Sequence, residues 1–319
     1  MKHGLAAFRS WRHWVGPLML FCVIGIAAGA PWLAPQQDPA QPQDFNLVGR
    51  YSDTTPHPPS EQAILGTLPY QLDVYFSLIW GFRQALQFGL LVTTLTGLFG
   101  ILYGAVSGYL GGRLNNLMMR IADAFLAFPV LAAVVFVRQM MIVIIGDTTQ
   151  SLLAGGLPAS FELTPLQSFL MNADALLWTL VALSWMPYAR MVNSGVLRLR
   201  QIDYILATRA LGAGHLRIIL RHMLPNTISP AVVLAARDVG GMVVLQATFT
   251  FIGIEGNSLW GQMLVIGRNW IVGPGGNPLV YWWTFVPVTL ALVFFSLGWN
   301  FLGDSLNEWL NPRRVNSIS

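Results

Sequence analysis

The stretch Asp203–Pro225, DYILATRALGAGHLRIILRHMLP, is basic and amphipathic, and it separates two runs apolar enough to cross a membrane. Asp203 is placed to cap a first helix, because its carboxylate can accept from the free amides of the first turn. Tyr204, Ala207, Thr208 and Leu211 then recur at helical spacing. Gly212-Ala213-Gly214 ends that helix. A second is expected with Leu216, Ile219, Leu220 and Met223 on one face and Arg217 and Arg221 on another. Leu224-Pro225 is expected to stop it and redirect the chain. The small residues Ala207, Ala210 and Gly212 leave room for another backbone, while the arginines suit an anionic lipid surface or an acidic partner. On physical grounds alone, both an interfacial loop and a docking surface satisfy this pattern.

The rest of the chain supplies the membrane context. Charged residues make up 10% of the 319 and apolar ones 54%, against about 25% and 45–50% in soluble domains. This composition excludes a purely water-soluble protein and points to an all-α polytopic membrane protein. The single cysteine, Cys22, lies in an apolar run and serves as small apolar filler, so no disulfide framework or cysteine metal site is expected. The formal charge of +4 is carried by arginines spread between apolar runs. Membrane topology accounts for them, and no nucleic-acid partner is expected.

Six spans are expected: Trp14–Leu33, Leu86–Ser107, Met118–Ile145, Ala173–Val192, Thr227–Ile254 and Tyr281–Leu302. The first follows a basic segment and resembles a signal peptide, but its length suits a retained anchor. An even number of crossings puts both termini on one side. Taking that side as cytoplasmic, the inner segments hold Lys2, Arg9, Arg12, Arg113, Arg120, Arg190, Arg198, Arg200, Arg209, Arg217, Arg221, Arg313 and Arg314, and the outer segments only Arg50, Arg83 and Arg268. That bias makes 203–225 cytoplasmic. The chain therefore divides into a cytoplasmic N-terminus (1–13), a first anchor (14–33), an extracytoplasmic connector (34–85), a five-helix core (86–302) and a cytoplasmic tail (303–319).

The connector is rich in Pro, Gln and Asp, a composition that suits an exposed segment. His57 has no second ligand at chelating spacing and reads as a loop residue. Within 70–84, Val74, Ser77, Leu78 and Gly81 share one helical face, which predicts an interfacial helix at the outer surface. An outer loop over 146–172 carries Asp147 and Glu162. Trp260, Trp270, Trp282 and Trp283 read as an interfacial belt rather than a ligand cage. No GxxxxGK[ST] run is present, GAGH at Gly212–His215 lacks the spacing of a phosphate loop, and neither a Ser/His/Asp nor an HExxH arrangement occurs. No catalytic or metal site is expected.

Several motifs carry a resemblance. YAR at Tyr188–Arg190 and ATRALGAGHLRIILRHMLPN resemble the cytoplasmic coupling segment, the EAA loop, of bacterial ABC importer permeases, in particular the C-type permease of the dipeptide, oligopeptide and nickel branch. LGT at Leu65, GYLGG at Gly108, MRIADAFLAFP at Met119, FTFIGI at Phe249, WGQML at Trp260 and NFLGDSLNEWLNPR at Asn300 agree in order and spacing. The resemblance implies a type I importer permease fold in the bacterial inner membrane. It implies a second homologous permease, two cytoplasmic ATPases holding ATP and Mg, an extracytoplasmic solute-binding protein and surrounding lipid as partners. Leu206, Ala207, Thr208, Ala210, Leu211, Gly212, His215 and Arg217 would form the ATPase coupling surface. The chain would transport peptides or similar small solutes by alternating access and hydrolyse nothing itself.

The sequence departs from the family in three places. Leu206 stands where the naming glutamate falls, Thr208 replaces the second alanine, and Gln246 stands where glutamate is expected. Arg237 and Asp238 occur inside the fifth span, where each charge costs at least about 2.5 kcal/mol on insertion scales. They, Gln246 and Asp123 either form a buried charge network or line the solute path, and Asp123 is a candidate partner for Arg237. Two other classes stand beside the permease reading: an ion-driven secondary transporter, which would show inverted repeats, and a membrane assembly protein that transports nothing.

Overall fold

The computed structural model describes residues 2–36, 45–155, 173–254, 256–272, 277 and 279–310. Its helices are α1 (Lys2–Leu33), α2 (Val74–Leu110), α3 (Gly112–Leu126), α4 (Val130–Gly155), α5 (Ala175–Leu183), α6 (Met186–Leu199) and α7 (Asp203–Ala210). Next comes α8, made of His215–Arg217, a π turn Ile218–Met223 and Leu224–Thr227, and then α9 (Ser229–Ile252), α10 (Leu259–Gly267) and α11 (Val286–Leu310). Five segments are long and apolar enough to cross a membrane: Trp14–Leu33, Val74–Leu110, Ala175–Leu199, Ser229–Ile252 and Val286–Leu310. A sixth is reached only when α3 and α4, bent 82° from one another, are counted together.

That bend corrects the continuous span expected over Met118–Ile145. Pro129 is its cause, because a proline disfavours helical backbone at the preceding residue and supplies no amide of its own. α3 accordingly closes on Ala127 N–H to the Asp123 carbonyl and Phe128 N–H to the Phe125 carbonyl. Downstream, the helix runs on to Gly155, so the first part of the expected 146–172 loop is helical; residues 156–172, with Glu162, lie outside the described residues.

A second difference concerns 70–84. No separate interfacial helix forms there. Asp73 accepts from the Tyr75 amide and caps α2, and nothing between Val74 and Leu110 interrupts the helix. Its 37 residues rise about 55 Å at about 1.5 Å each. That exceeds a hydrocarbon core of about 30 Å, so α2 reaches beyond the membrane.

The described part of the connector is pinned rather than loose. β1 (Thr67–Leu68) and β2 (Leu72–Asp73) pair antiparallel, with Leu68 opposite Leu72. Val48 N–H donates to the Gln71 carbonyl and Asp73 N–H to that of Asn46. Trp283 and Trp80 tie the connector and the end of α1 down by indole bonds to the Thr67 and Ala34 carbonyls. His57 Nε2 lies 2.9 Å from the Asp53 carboxylate, a contact that holds the Asp53 carboxyl below its usual range. A proline-rich composition forms no core of its own, but its backbone groups find partners on the helix ends.

The main core joins α1, α2, α9, α10 and α11 through Val23, Phe82, Val239, Val243, Trp260, Phe295 and Trp299. Trp260 is 1% exposed, meets Phe82 edge-on at 4.8 Å and donates to the Leu78 carbonyl. It therefore belongs to the core and not to an interfacial belt, because WGQML lies on α10 packed inside the bundle. Trp282 is exposed at the rim. α2 packs against α6 along Gly97, Gly100, Gly104 and Gly108, where a Cβ at Gly100 or Gly104 would overlap the Trp185 or Ala189 carbonyl oxygen. Small residues at this spacing let two helices approach closely in lipid. Gly104→Val is expected to lower stability by about 1–3 kcal/mol, the usual cost of overpacking, read as a lowered melting temperature in detergent. Gly112→Ala, which meets no neighbour but sits at a φ of +56°, should fall less.

Candidate functional site

The 203–225 surface begins at Ile202, whose extended backbone caps α7. Asp203 is the first helical residue and makes no side-chain cap bond, so its expected N-cap role is corrected. It sits instead where a carboxylate meets the positive end of the helix dipole. Gly212 ends α7 at a φ of +81°. The Gly212 amide donates to the Arg209 carbonyl at 3.0 Å and the Ala213 amide to that of Thr208 at 3.3 Å. These two bonds are the Schellman termination, which a left-handed glycine permits at least strain. No atom lies within 4 Å of a Cβ built on Gly212. The glycine is required by its backbone conformation and not by contact within this chain.

α8 departs from the expected pattern. Leu224 N–H donates to the Ile219 carbonyl, five residues back, and the buried positions follow that five-residue step: Ile218 and Met223, Ile219 and Leu224. Leu216 and Leu220, expected on one face with Ile219 and Met223, are exposed while those two are buried. Pro225 does not stop the helix. The wider π turn ahead of it accommodates a ring that would clash in a regular α-helix, and Ile228 stays helical into α9.

Below this surface lies a packed base. Ile205, Ile218 and Met223 are fully buried against Ala105 and Tyr109 of α2 and Tyr188, Val192 and Val196 of α6. The Tyr109 hydroxyl lies 2.5 Å from His215 Nδ1, and the Arg209 guanidinium stands over the Tyr109 ring at 5.2 Å. His215 thus anchors the loop to α2. Leu206, Ala207, Ala210, Leu211, Gly212, His215 and Arg217 all reach solvent, with Leu211 88% exposed. Thr208 is half-buried, and its hydroxyl returns to the Tyr204 carbonyl. A buried network holds the adjoining corner: Asn193 of α6 donates to Ser107 of α2 and Asn115 of α3.

The charges of the fifth span find partners that the spacing did not name. Arg237 pairs with Asp304 of α11 at 2.5 Å, with both side chains about half exposed. Asp123 instead pairs with Arg190, which replaces the expected Asp123–Arg237 contact. Asp238 accepts from the Tyr188 hydroxyl at 2.7 Å. Arg237 and Asp238 point to different helices because adjacent residues on a helix diverge by about 100°. Gln246 is buried in α9 and stands apart from these contacts. Tyr188, Arg190 and Asp304 were missed as site residues, although each lies within a motif quoted above. The signal was partial: Asp123–Arg190 joins two of those motifs, whereas Arg237 and Asp238 lie in none of them.

Comparison with known proteins places the sequence among transport permeases. The model of the family described as binding-protein-dependent transport system inner membrane component matches residues 100–316. The probable D,D-dipeptide transport system permease protein DdpC of Escherichia coli K12 is 29% identical over 288 residues, which is 89% of this chain and 82% of that protein. The nickel transport system permease protein NikC of the same strain is 29% identical over 281 residues, 87% of each chain. A solved inward-facing MetNI methionine ABC transporter superposes with a TM-score of 0.44 at 22% identity, over 76% of this chain and 98% of that one.

The fold and the inner loop define a multi-pass inner-membrane permease subunit of an ABC importer, a noncatalytic component that works with an ATPase and a solute-binding protein. The chain belongs to the family of binding-protein-dependent transport system inner membrane components.

The Arg237–Asp304 contact makes a prediction of its own. Arg237→Ala and Asp304→Ala should each destabilise the purified subunit modestly, by about 0.2–1 kcal/mol for so exposed a pair. The double variant should be no worse than either single one in thermal unfolding; additive losses would show that the two side chains act separately.

Proposed function

We propose that this chain forms half of the path for peptides or similar small solutes, and that Leu206–Arg217 docks on a cytoplasmic ATPase subunit. A second, similar permease supplies the other half, and two ATPase subunits carry ATP and Mg. An extracytoplasmic binding protein delivers solute to the outer ends, where the connector is pinned. Closure of the ATPases moves the α7–α8 corner, and the corner moves α2 and α6 through Tyr109, His215 and Ile205.

The observation that carries this reading is Leu211, 88% exposed at the tip of a corner whose underside is fully packed. A large apolar side chain held rigidly in water is stabilised by a partner's pocket. Leu206, at 47% exposure where relatives of the resembled family carry glutamate, makes shape and apolar contact the basis of docking rather than an ion pair. The peptide reading is supported by the names of relatives such as DdpC; NikC, as a nickel permease, marks the second candidate class.

Leu211→Glu is expected to abolish co-purification of the ATPase and uptake, while membrane insertion and the melting temperature stay at the parent's values. Retained co-purification would overturn the docking role. Gly212→Ala should cost about 1–2 kcal/mol locally for a left-handed alanine and reduce uptake, with Gly212→Asn in between.

Orientation is tested separately. With both termini cytoplasmic, a cysteine at exposed Asn116 in a Cys22→Ser chain should react with a membrane-impermeant maleimide in inside-out vesicles and resist it in intact spheroplasts. The reverse pattern would invert the topology.

A further inference from the structure

α3 is an amphipathic helix whose apolar stripe the described residues leave exposed, Phe125 alone meeting a ring, that of Trp185 at 6.0 Å. Leu114, Leu117, Ile121 and Phe125 recur every three or four residues and are all exposed, at 47, 56, 43 and 42%. Buried Asn115 and Ala122 mark a different face, the one packed on α6. At about 100° per residue, Arg113 and Arg120 fall on the flank of the stripe away from that packed face, and Asn116 and Asp123 fall opposite the stripe. Neither Arg113 nor Arg120 has a carboxylate partner among the described residues.

The bend at Pro129 gives the stripe a direction. Phe125 and Phe128 line an apolar cleft of about 370 Å³ together with Ala133 and Phe136 of α4 and Thr179 and Leu183 of α5. The cleft lies in the angle between α3 and α4, so the stripe faces the side on which α4 rises into the bilayer. A helix bent 82° from a span, apolar toward the span and cationic at its edge, has the arrangement of a helix lying in the membrane interface.

We propose that the α3–α4 corner is a binding site for an anionic phospholipid of the cytoplasmic leaflet, with an acyl chain in the Phe125/Phe128/Phe136 cleft and the headgroup phosphate at Arg113 and Arg120. The lining favours this occupant over the others. Its one polar side chain, Thr179, donates to the Ala175 carbonyl and is already satisfied, so the cleft offers nothing to a peptide's charged ends. Protein interfaces are depleted of charge at their centres, whereas unpaired arginines beside an acyl-sized groove match a negative headgroup. The proposal rests on the cytoplasmic placement of α3, which the Asn116 cysteine tests by itself.

The assembled transporter, in phosphatidylcholine vesicles doped with a photoactivatable acyl-diazirine lipid, provides the experiment. Phosphatidylglycerol probe is expected to label peptides from 124–137 and 179–183 well above the level given by the phosphatidylcholine probe. Arg113→Gln and Arg120→Gln should each lower that labelling about fivefold, as expected for one surface charge, and their melting temperatures should match the parent's. Equal labelling by both probes would overturn the headgroup assignment. Labelling of the isolated chain that disappears on assembly would assign the cleft to a neighbouring subunit, and displacement by transported solute would assign it to the path; either result overturns the proposal. The permease pair carrying Leu211→Glu, which assembles without the ATPase on that reading, should label as the parent permease pair does, so failure of the coupling reading and failure of the lipid site are distinguishable.

Discussion

The close approach of α2 to α6 is the constraint on which the rest of the structure depends. Lipid offers helices no hydrophobic reason to associate, so packing must come from backbone proximity and interhelical hydrogen bonds. Gly100 and Gly104 supply the first, against the Trp185 and Ala189 carbonyls, and Asn193 with Ser107 supplies the second. With that pair fixed, Tyr109 and Val196 form the floor on which Ile205, Ile218 and Met223 settle. The inner loop takes its shape from this floor as much as from its own helical preference, since helices as short as α7 are marginal alone.

A second consequence is a physical route between the two faces. α2 is capped at Asp73 beside the hairpin and ends at Leu110, with Tyr109 beneath the α7–α8 corner. Its outer turns pack on Trp260 and its inner turns on the loop base. One uninterrupted helix thus touches the pinned connector and the α7–α8 corner. The charge contacts lie along the same bundle and join α3 to α6, α6 to α9 and α9 to α11. Half-exposed ion pairs contribute little stability, but they fix the rotation of each helix relative to its neighbour.

Much of this was legible from residue order. Five apolar crossings, the glycine corner at Gly212, and the two motifs that Asp123 and Arg190 join stand out without coordinates. The partners did not. Periodicity says that Arg237 and Asp238 need different helices, but it carries no information on which helix is adjacent, and so Asp304 and Tyr188 went unnamed. α8 misled for a local reason: a π turn changes the repeat, and a 3.6-residue template puts Leu216 and Leu220 on the wrong face. The α3–α4 bend was similarly hidden, because hydropathy is continuous across Pro129.

The sequence by itself determined that this chain is a helical membrane protein, that a cationic amphipathic loop separates two of its apolar runs, and that the loop turns at a residue able to adopt a positive φ. Those properties reside in composition, local spacing and the stereochemistry of single residues. Only the tertiary structure decided that the loop stands on Tyr109 and Ile205, that Trp260 is core rather than rim, and that α3 leaves an apolar stripe beside arginines with no carboxylate partner among the described residues. Each of these depends on which surfaces meet across long separations in the chain, and such meetings are set by packing that no local pattern encodes.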